Sequence, residues 1–464
     1  MEERTDFGTK LLASLLKGTA LAAGDPGFQE ACSGFNEACS GFNTAHSSNP
    51  DIVVLADSTA DVVAAVRHAA ARDLPLSVHS TGHGYPGNTT GCMLINTSNM
   101  QELNVDPSTG TARASAGVRW DSVIAQAAPH GLAPLNGSST DVGVIGYTLG
   151  GGMGPMGRTF GFAADHVNAI EIVVADGSLQ LITAESEPEL FWALCGGKCA
   201  VGIVTHIDFN LMPVPEVYGG PIFFSPSDAA TILHAYGEWV GTLPESTTAS
   251  IALLRLPDDP SFPEPLRGKT NVHLRYVHVG DEESGARLLA PLLQAVTPVI
   301  NLVALMPYAA IASVHQDPSD PMPAWDGSML LQDFPAAAVD ALLGAAGPAV
   351  DVPIIMAEVR HLGGAFTRGP VGGNAVGGRD AAFNFGVIAP YPPHLQEIVD
   401  AAGNEVLDAL RPWAHGGTQI NFQGFAATPQ DVRKAWDEPT LRRLREVKAA
   451  WDPEHRFSFG YSLD

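Results

Sequence analysis

Ser80-Thr81-Gly82-His83-Gly84-Tyr85-Pro86-Gly87 is the stretch on which the reading of this chain turns. An apolar-alternating segment, Leu74 to Val78, leads into it, and another, Cys92 to Ile95, leads out. The pattern predicts a strand, a glycine-rich loop carrying one histidine, and a second strand. Glycines let backbone N–H groups approach a ligand closely, and successive N–H groups form an anion-binding nest. A histidine in such a loop has few packing partners and is placed to face a ligand. Taken alone, the stretch reads equally well as a hairpin connection or as a site.

Upstream, Asp51-Ile-Val-Val-Leu-Ala56 is a short strand-type run. Ser58-Thr59 offers a helix N-cap, and Val62, Val63, Val66, Ala69 and Ala70 fall on one helical face. A strand–helix–strand unit thus delivers the chain into the loop. Leu11 to Ala23 is expected to form an amphipathic helix. Glu30-Ala31-Cys32-Ser33-Gly34-Phe35-Asn36 recurs unchanged as Glu37 to Asn43. Seven residues are too few for a solenoid unit, and no role is assigned to this duplication.

Downstream, Thr111 to Ala116 is expected as a strand and Trp120 to Ala128 as a helix. Residues 137–157 hold a second concentration of glycines, including a formal G-x-G-x-x-G at Gly152, Gly154 and Gly157. No strand run precedes those glycines and no helical periodicity follows, which argues against a dinucleotide fingerprint. An extended segment lying against a large flat ligand is expected instead. Val167 to Ala175, Asp176-Gly177 and Ser178 to Thr183 read as a hairpin with a two-residue type I′ turn. Pro188 to Leu194 reads as a short helix and Val201 to Leu211 as a long strand.

The chain has 464 residues, with 50 acidic against 25 basic and a net charge of −25. That balance argues against nucleic acid or an anionic membrane as partner, since phosphate binding needs a basic surface. No segment reaches the ~18 apolar residues of a membrane helix, and the N-terminus lacks a basic leader region, so a cytoplasmic protein is expected. Five cysteines do not read as a disulfide framework, and Cys195 and Cys199 lack the partners of a zinc set. Buried thiols and no metal are expected. At Met212-Pro213-Val214-Pro215 the character changes. From there to about residue 405, strands (Ser250 to Leu256, Asn271 to Val279, Ile354 to His361) alternate with Ala-rich helices (Pro226 to Val240, Glu282 to Ala295, Pro335 to Gly344). Leu441 to Trp451 closes the chain as a basic amphipathic helix.

Several separated stretches together resemble the FAD-linked oxidases of the vanillyl-alcohol oxidase superfamily, in the berberine-bridge-enzyme-like and hydroxynicotine-oxidase-like branch. They are Pro75 to Gly87, Ser138 to Gly154, Phe160 to Gly177, Glu189 to Thr205, Glu358 to Ala365 and Leu441 to Phe457. The resemblance implies an α+β protein. Its PCMH-type FAD-binding domain would be formed by residues 1–212 and 406–464, with an α+β substrate domain of antiparallel sheet and helices inserted at 213–405. It implies FAD held by Ser80, Thr81, Gly82, His83, Gly84, Tyr85, Ser138, Ser139, Gly143, Thr148, Gly150, Gly151, Gly154, Val204 and Asn421. His83 stands where relatives bond covalently to the flavin. Ser139 stands where some carry a second, cysteinyl link, so a single tether is expected. His79 and Asn96 replace a frequent arginine and aspartate of the family.

The activity implied is oxidation of a carbon bearing an alcohol or amine on a small organic molecule, with O₂ re-oxidising the flavin to give hydrogen peroxide. A dehydrogenase, an oxidative cyclase or desaturase, and a flavin-binding protein without catalysis are the alternatives. Asn421-Phe422 matches a pair that in relatives can hold a tyrosine base, which Phe422 cannot replace. Tyr308, His361, His315 and Tyr276 are therefore candidates for a base, with Tyr308, His361 and Asn421 taken as catalytic. Glu358 and Arg360, on one alternating strand, are expected to pair with each other. Oligomeric state and substrate identity do not follow from these residues.

Overall fold

The computed structural model describes residues 9–33, 41–84, 89–424, 428–458, 460–461 and 463. Tyr85 and the middle of the heptapeptide duplication, 34–40, lie outside these residues.

The first sheet has β1 (Thr19–Ala22), β2 (Ile52–Leu55), β3 (Leu76–His79) and β4 (Met93–Asn96) in the order β1-β2-β4-β3. β3 runs parallel to β4, and so does β2. Two adjacent parallel strands cannot be joined by a hairpin. The glycine loop is therefore a crossover connection, which rules out a hairpin there. The helix Thr59–Ala70 packs on this sheet through Val62, Ala65, Val66 and Ala69, and Ser58 caps it by accepting from the Asp61 N–H.

The second sheet is antiparallel, with β5 (Leu103–Asp106), β6 (Thr111–Ser115), β7 (Val167–Val174), β8 (Leu179–Ile182) and β9 (Gly202–Asn210) in the order β5-β6-β9-β7-β8. Both sheets share one apolar core with the helix Trp120–Ala127 and with the last helix, Glu438–Trp451, which contributes Leu441, Leu444 and Val447.

The third sheet is antiparallel and has eight strands. They are β10 (Glu216–Phe224), β11 (Thr247–Leu256), β12 (Lys269–His278), β13 (Ile300–Asn301), β14 (Ala304–Pro307), β15 (Ala324–Leu331), β16 (Met356–His361) and β17 (Phe383–Pro390). β13-β10-β12-β11-β16-β17-β15 is the path, with β14 beside β10. Period-2 alternation sorts its two faces. Ala249, Ile251, Leu253, Val272, Leu274, Tyr276, Ala357, Val359, Phe385 and Val387 enter a core under the helices Ala229–Val240, Glu282–Ala295, Ala336–Ala346 and Gln396–Ala409. The alternate positions, Ser250, His273, Arg275, Glu358 and Asn384, are buried and polar. A buried polar face must find partners or a ligand, and this one faces the glycine segments.

Four local expectations are corrected. Leu11 to Ala23 is not one helix: the helix ends near Ala13 and β1 follows. A Cβ on Gly18 would lie 2.0 Å from the Leu55 carbonyl oxygen, so the chain there is pressed onto β2. The turn between β7 and β8 has positive φ only at Gly177 (78°), with the Gly177 N–H bonded to the Val174 carbonyl. That is a type I turn followed by a left-handed glycine, not type I′. The segment 137–157 is not extended throughout, because Val144–Leu149 is helical. Cys32 is disulfide-bonded, whereas Cys92, Cys195 and Cys199 are the buried free thiols expected. Among the described residues no helix is long and apolar enough to cross a membrane.

Candidate active site

A cavity of about 380 Å³ lies between the two glycine segments. That is within the usual range for small-ligand and cofactor sites. Ser80, Thr81, Gly82, His83 and Gly84 form one wall, and Ser138, Ser139, Gly143, Gly146 and Tyr147 the opposite one. Val204 on β9, Lys198, Asn421 and Arg360 complete it. The segments meet where Gly143 faces Thr81: a Cβ there would lie 3.2 Å from the Thr81 methyl. A Cβ on Gly146 would meet nothing within 4 Å, so glycine there leaves the wall open. Ser138, Met153 and Arg360 also line a second, smaller space of about 30 Å³. That space is walled by Gly154, Ser250, Arg275, His315, His361 and Phe366, so the cavity continues onto the polar face of the third sheet.

His83 is held from two sides. Its ring stacks on Phe42 at 4.5 Å, and Nε2 lies 3.2 Å from Asp141 Oδ2. The Asp141 carboxylate resists burial: His83, the Ser139 hydroxyl and Arg119 hold it below the usual range. Asn421 donates from Nδ2 to the Tyr147 carbonyl at 2.8 Å. A Cβ on Gly150 would fall 2.0 Å from Asn421 Oδ1, so glycine at 150 is what admits Asn421.

The remaining expected residues divide. Thr148 turns inward and donates to the Val144 carbonyl, closing its own helix turn. Gly151 packs against Val376 and does not line the cavity. Tyr308 lies outside the cavity wall, fully buried, with its hydroxyl 2.6 Å from Asn136 Oδ1 and 2.9 Å from the Pro134 carbonyl. Its phenol is pushed far up by burial. Tyr276 donates to the Gly285 carbonyl within the core of the third sheet.

His361 does line the small space, but Arg158 donates to its Nε2 at 3.1 Å. Burial, then the Arg158 charge, lowers its pKa to about 3. It is a neutral ring with the proton on Nδ1, a donor and not a base. His315 is likewise brought down to about 4 by burial.

Three residues were not singled out from the sequence. Lys198 follows Gly196-Gly197 in a left-handed conformation (φ 42°), which costs energy for a side chain with a Cβ. Its ammonium sits 4.7 Å over the Tyr461 ring, and burial lowers its pKa to about 8. Tyr147 has a buried hydroxyl with no hydrogen-bond partner among the described residues. Arg275 joins the expected Glu358–Arg360 pair. Arg275 Nη1 gives 2.8 Å to Glu358 Oε1, and Arg360 Nε gives 2.7 Å to Oε2. A lysine directly after two glycines was the one legible signal among these.

The walls fit a flavin dinucleotide. Gly82, Gly84 and Gly146 open the backbone for close approach, and Lys198 supplies a cation for a pyrophosphate. Ser80 Oγ and Tyr147 Oη are buried donors that lack partners among the described residues.

Comparison with known proteins agrees. Residues 50–183 match the family model described as an FAD binding domain. An FAD-linked oxidoreductase of Bacillus subtilis, YvdP, is 26% identical over 470 residues, 97% of this chain and 98% of that one. (R)-6-hydroxynicotine oxidase of Paenarthrobacter nicotinovorans is 31% identical over 185 residues, 39% of this chain. The chain spans only 40% of that relative and 56% of an FAD-linked oxidoreductase of Dictyostelium discoideum. Among solved structures, 6-hydroxy-D-nicotine oxidase from Arthrobacter nicotinovorans superposes with a TM-score of 0.82 at 22% identity over 97% of this chain and 98% of that one. BBE-like 1 of Physcomitrella patens gives 0.84 at 18% over 98% and 99%. The glycine-walled cavity, the matched domain around it and the shared fold thus lead to one statement: residues 50–183 form an FAD binding domain, in a chain that is similar in sequence to hydroxynicotine oxidase and shares its fold with the BBE-like oxidases.

Proposed function

We propose that the protein is an FAD-dependent oxidase acting on a carbon that bears an alcohol or amine in a small organic molecule. The observation that carries this reading is the continuity of the cavity, from the His83 loop past Tyr147 and Asn421 to the polar face of the third sheet. When bound, FAD takes two electrons from the substrate carbon and returns them to O₂, giving hydrogen peroxide.

The chain's own residues hold, orient and tether. Gly82 and Gly84 offer backbone, and Lys198 offers charge, to the anionic part of the cofactor. Asn421 is fixed by the Tyr147 carbonyl with its Oδ1 turned toward Gly150. His83 supplies the nucleophile for a single covalent tether, since Ser139 has no thiol. Were the flavin held through His83, the Asp141 carboxylate, 3.2 Å from Nε2, would stabilise positive charge on the ring.

Removing a proton at the third-sheet end is harder. Glu358 is consumed by two guanidinium groups and the Ser250 hydroxyl. His361 and His315 are neutral and acidic in their conjugate form, and the Tyr147 phenol is raised well above its ordinary value by burial. A neutral amine needs no base to release hydride, whereas an alcohol does. This favours amines.

The test is spectral. Acid-precipitated protein should keep a yellow pellet that fluoresces under ultraviolet light, and a panel of amines and alcohols should yield peroxide with bleaching of the flavin. Bleaching without peroxide would make the protein a dehydrogenase. Flavin that no substrate bleaches would make it a non-catalytic flavin carrier.

A further inference from the structure

Register on the third sheet sets up a charged row. Ser250 on β11 is opposite Arg275 on β12 and, on its other side, opposite Arg360 on β16. Two residues before Arg360, on the same face, Glu358 reaches between the guanidinium groups. It accepts from Arg275 at 2.8 Å, from Arg360 at 2.7 Å and from Ser250 at 2.7 Å. Glu358 and Arg275 are each only 3% exposed. Two cations therefore share one anion in a closed space.

What the cations do not bond is the informative part. Arg360 gives Glu358 only Nε, and its two terminal nitrogens donate to no described residue. Its head lies 5.2 Å over the Phe422 ring and lines both ends of the cavity. Arg275 Nε is buried without a partner, and Nη2 meets only Met356 Sδ at 3.3 Å. The other groups facing this row do not cancel the charge. His273, His315 and His361 are neutral through burial, and so is Tyr147. Asp317, half-buried on the loop beyond His315, acts on Arg360 from a distance and forms no ion pair with it.

A buried guanidinium with its fork open to a cavity matches a carboxylate in shape and charge. Surplus buried charge also costs energy until an anion meets it. We propose that Arg360, backed by Arg275, is the recognition site for a carboxylate carried by the substrate. The substrate class is then a small amine or alcohol that is also an acid, that is, an amino or hydroxy acid. This rests on the oxidase reading above, and it adds what that reading leaves open.

The experiment is calorimetric titration of the purified chain, with flavin content read separately from its visible spectrum. The probes are acetate, benzoate and phenylacetate, each against its amide. At least one acid should bind about tenfold or more tighter than its amide. Arg360→Met should erase that preference and keep the flavin, while Arg360→Lys should keep part of it. Equal binding of every acid and amide, no binding of any acid at millimolar concentration, or an unchanged preference in Arg360→Met with its flavin retained would each overturn the proposal. A chain isolated without flavin that still prefers acids would instead break the oxidase reading and leave the carboxylate site standing.

Discussion

At the glycine-loop end of the cavity the walls are largely backbone: Gly82, Gly84, Gly143 and Gly146, with small hydroxyls from Ser80, Thr81 and Ser138. At the third-sheet end they are side chains: Arg275, Arg360 and His361 project from strands paired in fixed register, and His315 joins them from the end of the turn Tyr308–Val314. The first end excludes bulk so that a large flat group can lie close. The second end concentrates charge and neutral donors around a small space. A backbone wall tolerates little change in size, whereas a charged wall tolerates little change in balance. The two ends should therefore fail in different ways when they are altered.

The sharpest break is expected at the proposed tether. His83→Ala should abolish covalent flavin altogether while flavin still binds, seen as loss of in-gel fluorescence and of the flavin mass on the intact chain. Covalent flavin persisting in that variant would place the attachment elsewhere. Asp141→Asn, which removes the carboxylate beside Nε2, should slow attachment without preventing it, read as the covalent fraction against time after adding FAD to the apoprotein.

At the charged end, Glu358→Gln leaves two buried guanidinium groups facing each other. Unfolding in urea should show a loss of about 3–5 kcal/mol, as for other buried pairs broken from one side. A near-neutral result would mean that solvent or an anion already screens the row.

Back at the first end, Gly150→Ala puts a methyl where Asn421 Oδ1 and Lys198 Cε now sit, at 2.0 and 2.7 Å. Overpacking should cost about 1–3 kcal/mol and weaken flavin binding in the same variant.

The smallest effect is the most diagnostic. The Lys198 pKa falls from 10.5 to about 8 in the fold, so between those values the unfolded chain binds more protons. Its contribution without cofactor is unfavourable below pH 8 and is relieved as pH rises through that window. Lys198→Met should raise the melting temperature of the apoprotein by the equivalent of about 1 kcal/mol and flatten that pH slope. In a His83→Ala background it should also weaken FAD about tenfold. Greater stability with weaker cofactor binding is the signature of a charge placed for a ligand. A variant that loses both would make Lys198 structural.

Legibility follows the same division. Glycine runs survive in a bare sequence because a glycine's reason is local: a close approach or a left-handed angle. Both glycine segments, the strand–helix–strand unit and the last helix are therefore legible in the order of residues alone. The alternation in Ser250 to Leu256 and Ile354 to His361 marked strands, and even suggested the Glu358–Arg360 pair. It could not show that Arg275, more than eighty residues upstream of Glu358, would be the second cation. Tyr308 and Tyr276 look like bases in a sequence and turn out to be hydrogen-bonded to carbonyls or an amide in packed surroundings. Nor did Leu11 to Ala23 disclose that its helical pattern would yield to pairing with β2.

By itself the sequence determined the glycine-walled end: backbone freedom is encoded residue by residue, and so is a lone histidine between glycines. Only the tertiary structure decided the charged end on the third sheet. Whether a buried arginine, histidine or glutamate can bind, donate or take a proton depends on which charges stand within a few ångströms, and those neighbours come from strands far apart in the chain.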